Sequence, residues 1–210
     1  MNEEPFTLVC FAVKEEAQCF EAPPGVKTLV TGMGERNAEK SLLKELEKGQ
    51  PAAVLTCGFA GGLNPELTRG TVVFSADKEL ERKLIATGAR PARFHCAEQV
   101  ATTAEQKLRL WEETRADAVE MESRIIRSIC AERKIPSAPV RVILDNSAED
   151  LPLDFNDLMT VAKKMNYVKL TLTLLKEPGK IPALVELQKQ SRGAAEKLAL
   201  ALRAVTSGRK

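Results

Sequence analysis

Ala52-Ala53-Val54-Leu55-Thr56-Cys57-Gly58-Phe59-Ala60-Gly61-Gly62 runs from an apolar segment straight into glycine. Ala52 to Cys57 is short and shows no helical period, which suits a strand covered on both faces. Gly58 to Gly62 reads as the place where that strand turns tightly. Phe6 to Val13 and Val26 to Thr31 upstream, and Ala138 to Leu144 downstream, read as further buried strands. Helical patterns lie between them. Gly32-Met33-Gly34 opens a helix with Ala38, Leu42, Leu43 and Leu46 on one face. Met121 to Arg133 predicts a second, with Ile125, Ile126, Ile129 and Cys130 turned inward. Thr71 to Ser75 and Asp117 to Val119 predict short strands, 77–87 and 104–113 helices, and 92–102 short β-prone pieces. Leu158, Val161, Ala162, Met165, Val168, Leu172 and Leu175 keep a spacing of three or four, which predicts one long helix stopped by Pro178-Gly179. Leu198, Ala201, Leu202 and Val205 predict a last helix. The alternation implies a three-layer α/β fold, a central mixed, mostly parallel sheet flanked by helices. The expectation is one domain over 1–210, with C-terminal helices over 181–206 as an extension.

The 31 basic and 29 acidic residues leave a net charge of +2, so the chain lacks the basic excess that nucleic-acid binding calls for. No apolar run is long enough to cross a bilayer. The acidic start, Met1-Asn2-Glu3-Glu4-Pro5, is unlike a secretory signal. Cys10, Cys19, Cys57, Cys96 and Cys130 are odd in number and unpatterned, which reads as reduced thiols in the cytoplasm. No residues show metal-ligand spacing, and a Ser-His-Asp or Cys-His triad would rest wholly on His95, the single histidine. Gly32-Met33-Gly34 begins a dinucleotide-binding pattern but lacks the third glycine.

Carboxylates and glycines gather at four expected strand ends: Lys14-Glu15-Glu16, Gly58 to Gly62, Val119-Glu120-Met121-Glu122-Ser123, and Arg141-Val142-Ile143-Leu144-Asp145. Each alone could be structural. Glu15, Glu16, Glu120 and Glu122 could complement helix dipoles, and Asp145 could be an N-cap. Together they are expected on one crevice, because ligands of such sheets bind beyond the strands' carboxyl ends.

Five elements in order resemble the purine nucleoside phosphorylase/5′-methylthioadenosine nucleosidase family. They are Phe11-Ala12-Val13-Lys14-Glu15-Glu16, Gly32 to Ala38, Gly58 to Leu63 with Gly70-Thr71-Val72-Val73, Val119 to Ser123, and Val140 to Asp145. The resemblance implies the phosphorylase/hydrolase-like fold and cleavage of the N-glycosidic bond of a purine, adenine-type nucleoside. It implies that Asp145 is the acid to the base at N7, and that Glu16 orients the attacking water. It further implies that Glu122 holds the ribose hydroxyls, that Met121 packs beside the sugar, that Gly58, Phe59, Ala60 and Gly61 line the nucleophile pocket, and that Glu120 is a further substrate-binding residue. It implies no cofactor, phosphate being a co-substrate in the phosphorylases, and a homodimer or larger assembly. Three departures stand out: Phe59 replaces a serine, the segments before Val26 and from Ser75 to Phe94 are short, and Val100 falls where an aromatic residue stacks on the base.

The apolar Gly-Phe-Ala-Gly-Gly, Glu149-Asp150-Leu151-Pro152 and Leu174 to Leu184 look most like the hopanoid-associated branch, whose implied substrate is adenosylhopane. Ile181 to Val205 could then touch a membrane surface, or form a helix pair covering the sheet. Two alternatives remain open: a phosphorylase using Arg36 or Arg69, and a non-catalytic nucleoside-binding member.

Overall fold

The computed structural model describes residues 5–76 and 78–207. The acidic start at 1–4 lies outside them, as does residue 77 at the head of the helix expected over 77–87. In chain order come β1 (Thr7–Phe11), α1 (Lys14–Ala17), β2 (Val26–Val30), α2 (Glu35–Leu46), β3 (Ala53–Gly62), β4 (Val72–Phe74), α3 (Lys78–Ala86) and β5 (Arg90–Pro91). There follow β6 (Phe94–Cys96), α4 (Ala104–Thr114), β7 (Ala118–Glu120), α5 (Ser123–Glu132), β8 (Ser137–Asp145), α6 (Tyr167–Lys176), a 3₁₀ turn (Pro178–Lys180) and α7 (Ile181–Thr206).

The strands form one sheet in the order β2-β1-β3-β8-β4-β5, with β7 paired to the end of β3 and β6 to β7. The pairings of β1 with β2, β1 with β3 and β3 with β8 are parallel, while β4–β8 and β3–β7 are antiparallel. The sheet is therefore mixed and mostly parallel, with helices on both faces. Alternation within the central strands shows why they read as unbroken apolar runs. Val9, Phe11, Leu55, Cys57, Val140 and Val142 face a core completed by Leu198 and Leu202 of α7. Leu8, Cys10 and Val54 face the opposite core, with Ala38 and Leu42 of α2 and Ile126 and Ile129 of α5. Each fully buried Leu there contributes about 1.5–3 kcal/mol.

Three expectations are corrected. Gly58 to Gly62 is no turn: β3 continues through it, pairing with β8 and slipping register between Ala60 and Gly61. The helix expected from Leu158 begins only at Tyr167. Asn166 is its N-cap, its side chain accepting from Lys169 N at 3.0 Å. Before it the chain doubles back, with Met159 bridging Met165, so Leu158 is buried while Val161 is fully exposed. The tail is one helix, not a pair. Pro182 suits its first turn, and its second half covers the sheet. Among the described residues, no helix is long and apolar enough to cross a membrane.

Candidate active site

The carboxyl ends of β1, β3, β7 and β8 open onto one cavity of about 280 Å³. Glu16, Phe59, Ala60, Gly61, Val100, Glu120, Met121, Glu122 and Asp145 all line it; Gly58 does not. Leu144, Leu151, Phe155 and Leu187 make much of the remaining wall. His95 sits on β6, off this wall, so no triad can be built on it. Among the described residues, no group of three or more His, Cys, Asp or Glu side chains is placed to hold a metal ion.

Glu16 is buried on the short helix α1, which begins two residues past β1. Its Oε2 accepts from Ala12 N at 2.8 Å and Val13 N at 3.2 Å, and its Oε1 from Phe59 N at 2.8 Å. Burial lifts its pKa above the ordinary carboxylate range, against the pull of these N–H groups and Arg141. Gly58 makes the arrangement possible from beneath. A Cβ there would lie 2.3 Å from Glu16 Oε1, at a φ of +154°. Gly58→Ala is therefore expected to push the carboxylate out of place. It should destabilise the fold by about 1–3 kcal/mol and lower turnover at least roughly tenfold, as read by denaturation and a base-release assay.

Arg141, in the middle of apolar β8, is 1% exposed. Its guanidinium donates to the Thr56 carbonyl, to Thr56 Oγ1 at 3.0 Å and to Glu120 Oε2 at 2.7 Å, with Glu122 Oε2 at 3.9 Å. Glu120 also accepts from the N–H groups of Glu122 and Ser123 and from Ser123 Oγ, at 2.7–3.0 Å. Burial would raise the Glu120 pKa, but Arg141 and Ser123 outweigh it and hold the carboxyl below its usual range. Both Glu120 oxygens are thus committed within the protein, where they anchor the start of α5.

Glu122 is the N-cap residue of α5, and its Oε1 accepts from Gly34 N at 2.8 Å. Burial, with Glu120 and Glu16 close by, pushes its pKa to about 7 against the pull of Arg141. The folded chain then binds more protons than the unfolded one between the ordinary value of 4.5 and about 7, so stability falls as pH rises through that window. Glu122→Gln should flatten part of that fall in denaturation midpoints measured across the range, Glu16 supplying a remainder of the same sign.

Asp145 ends β8. Burial raises its pKa, opposed by the ammonium of Lys107, with which Oδ2 forms an ion pair; Glu149 adds to the rise and Arg69 opposes it. Val100 is clamped by Asn156, which accepts from its N–H at 2.8 Å and donates to its carbonyl at 2.9 Å. Neither Arg36 nor Arg69 lines the cavity; Arg69 binds Glu149 at 2.6 Å and the Leu144 carbonyl. Sequence reasoning gave no role to Arg141 or Lys107. A lone arginine inside an apolar strand signals the first, and no local pattern signals the second.

A model of the phosphorylase superfamily matches residues 74–176, the segment carrying Glu120, Glu122, Arg141 and Asp145. That segment resembles the phosphorylase superfamily. A 5′-methylthioadenosine/S-adenosylhomocysteine nucleosidase of Marinomonas sp. (strain MWYL1) is 25% identical to this chain over 174 aligned residues, covering 65% of this chain and 75% of the relative. Among solved structures, native futalosine hydrolase of Helicobacter pylori strain 26695 superposes with a TM-score of 0.72 at 14% identity, covering 98% of both chains. The 5′-methylthioadenosine/S-adenosyl homocysteine nucleosidase of Helicobacter pylori, complexed with a substituted pyrrolidin-3-ol, gives 0.71 at 15% identity, covering 98% of this chain and 99% of its own. At these identities the two structures speak for the fold alone.

Proposed function

We propose that this protein is a nucleosidase, hydrolysing the N-glycosidic bond of a purine, adenine-type nucleoside. The observation that carries the reading is the presence of Glu16, Glu122 and Asp145 on one cavity wall, although 129 positions of chain separate the first from the last. Breaking the ribosyl C–N bond builds positive charge on the sugar and negative charge on the base. Asp145 serves the base end, delivering a proton to N7. Glu122 takes the ribose hydroxyls, with Met121 packed beside the sugar. Glu16, fixed by three backbone N–H groups, orients a water and accepts its proton, and the carboxylates offset the charge growing on the sugar. Glu120 serves this work through Arg141.

Hydrolysis is favoured over phosphorolysis by the charge of the wall. Phosphate would enter among carboxylates, while Arg141 is committed to Thr56 and Glu120 and neither Arg36 nor Arg69 lines the cavity. Phe59, Leu144, Leu151, Phe155 and Leu187 suit an apolar group on the ribose 5′ carbon, which extends the proposal to adenosyl lipids such as adenosylhopane.

Base release from adenosine, 5′-methylthioadenosine and an adenosyl lipid, each with and without phosphate, tests this. The expected result is phosphate-independent release, faster with the larger apolar 5′ group. Strict phosphate dependence would overturn hydrolysis. Tight nucleoside binding in a calorimeter with no base released would overturn catalysis.

A further inference from the structure

We infer that Lys107 and Asp145 form a single proton-sharing couple, in which Lys107 positions Asp145 and supplies the proton that the departing base receives. The inference rests on the nucleosidase reading and adds a residue to it. α4 begins at a capping box, Thr103 with Gln106, which turns the next residue inward beneath the end of β8. That residue is Lys107, at 0% exposure. Lysines are almost never so buried unless the ammonium is fully paired. Here it donates to the Glu149 carbonyl at 2.6 Å and the Asn146 carbonyl at 3.0 Å, and it forms an ion pair with Asp145 Oδ2. Oδ2 is sealed from solvent, so Oδ1 is the carboxyl oxygen left for a ligand. The other charges nearby, Glu149 and Arg69, pair with each other on the loop side.

The two carbonyl bonds are the telling feature, because they survive either position of the proton. As an ammonium, Lys107 gives two hydrogens to the carbonyls and has a third to offer the carboxyl group of its ion-pair partner. As an amine, it keeps both carbonyl bonds and turns its lone pair to an Asp145 hydroxyl. Ammonium–carboxylate and amine–carboxylic acid thus share one arrangement of heavy atoms, and the proton can cross with no side chain moving. In the reaction, the C1′–N9 bond breaks and its electron pair goes to the base. Asp145, a carboxylic acid at the start, passes the proton on Oδ1 to N7 as Lys107 passes one to Oδ2, so the acid re-forms on Oδ2 and Lys107 is left as an amine. Water forms the C1′–O bond and gives its proton to Glu16. Solvent then removes the Glu16 proton and returns one to the couple, so protons balance over the cycle.

The alternative role for Lys107 is a buttress that merely holds the 145–149 turn. The two roles separate by leaving group. A purine needs protonation at N7, whereas 4-nitrophenolate departs from 4-nitrophenyl riboside without it. Lys107→Met in the full chain should lower kcat on the best purine nucleoside by roughly a hundredfold, with KM and the 4-nitrophenyl riboside rate within about threefold of wild type. Lys107→Met/Asp145→Asn leaves no unpaired buried charge and should match Asp145→Asn alone on both substrates. If the single variant does not fold, that comparison decides. Equal losses on both substrates, or a double variant clearly below Asp145→Asn, would overturn the couple. Wild type releasing no base from any purine nucleoside would overturn the nucleosidase reading, and the couple with it.

Discussion

Asp145→Asn is expected to lower release of the purine by roughly a hundredfold or more, because an amide has the shape of the acid and no proton to give. The carboxyl group stands at the end of β8, buried, on the wall shared with Glu16 and Glu122. Loss should therefore fall on kcat, with KM changing less, since the amide still hydrogen-bonds the base. The substitution also strands the Lys107 ammonium without its counter-charge, so a moderate fall in denaturation midpoint should accompany it. Steady-state kinetics and urea unfolding on the same preparation separate the two effects. Unchanged turnover would remove Asp145 from the chemistry.

Arg141→Met is expected to be the most damaging change to stability. Its guanidinium is the partner of Glu120, whose side chain has no exposure, and it also satisfies the carbonyl and hydroxyl of Thr56 on the neighbouring strand. Removing one member of a buried pair leaves an uncompensated charge and typically costs about 3–5 kcal/mol. Glu120→Gln in the same chain should restore a good part of that, because the stranded charge is gone. Denaturant unfolding of the two single variants and the double variant gives the coupling. A double variant no more stable than Arg141→Met would show that the Arg141–Glu120 pairing is not what holds this region.

The central strands were legible because burial on both faces makes them continuous apolar runs, and the carboxylates were legible because they punctuate the ends of those runs. The approach of Glu16 and Asp145 follows from parallel pairing of β1, β3 and β8, and Glu122 joins them through β7, paired antiparallel with the end of β3. Other features are set by tertiary context. In α4 the charged Lys107 is buried and the apolar Leu108 is 51% exposed, the reverse of what an amphipathic pattern implies. The spacing from Leu158 to Leu175 is helical throughout, yet Asn166 starts a new helix, and the apolar positions before it serve a folded-back segment instead. The glycines from Gly58 to Gly62 looked like a turn because glycine weakens strands. They stay extended because β8 pairs alongside and the Glu16 carboxylate leaves no space for a side chain at Gly58.

β3 begins among packed hydrocarbon at Leu55 and Cys57 and, two residues on, presents Phe59 to the cavity. One stiff rod thus serves as both keel and cutting edge, with no hinge between. The wall of the cavity is therefore shaped by the same packing that closes the interior.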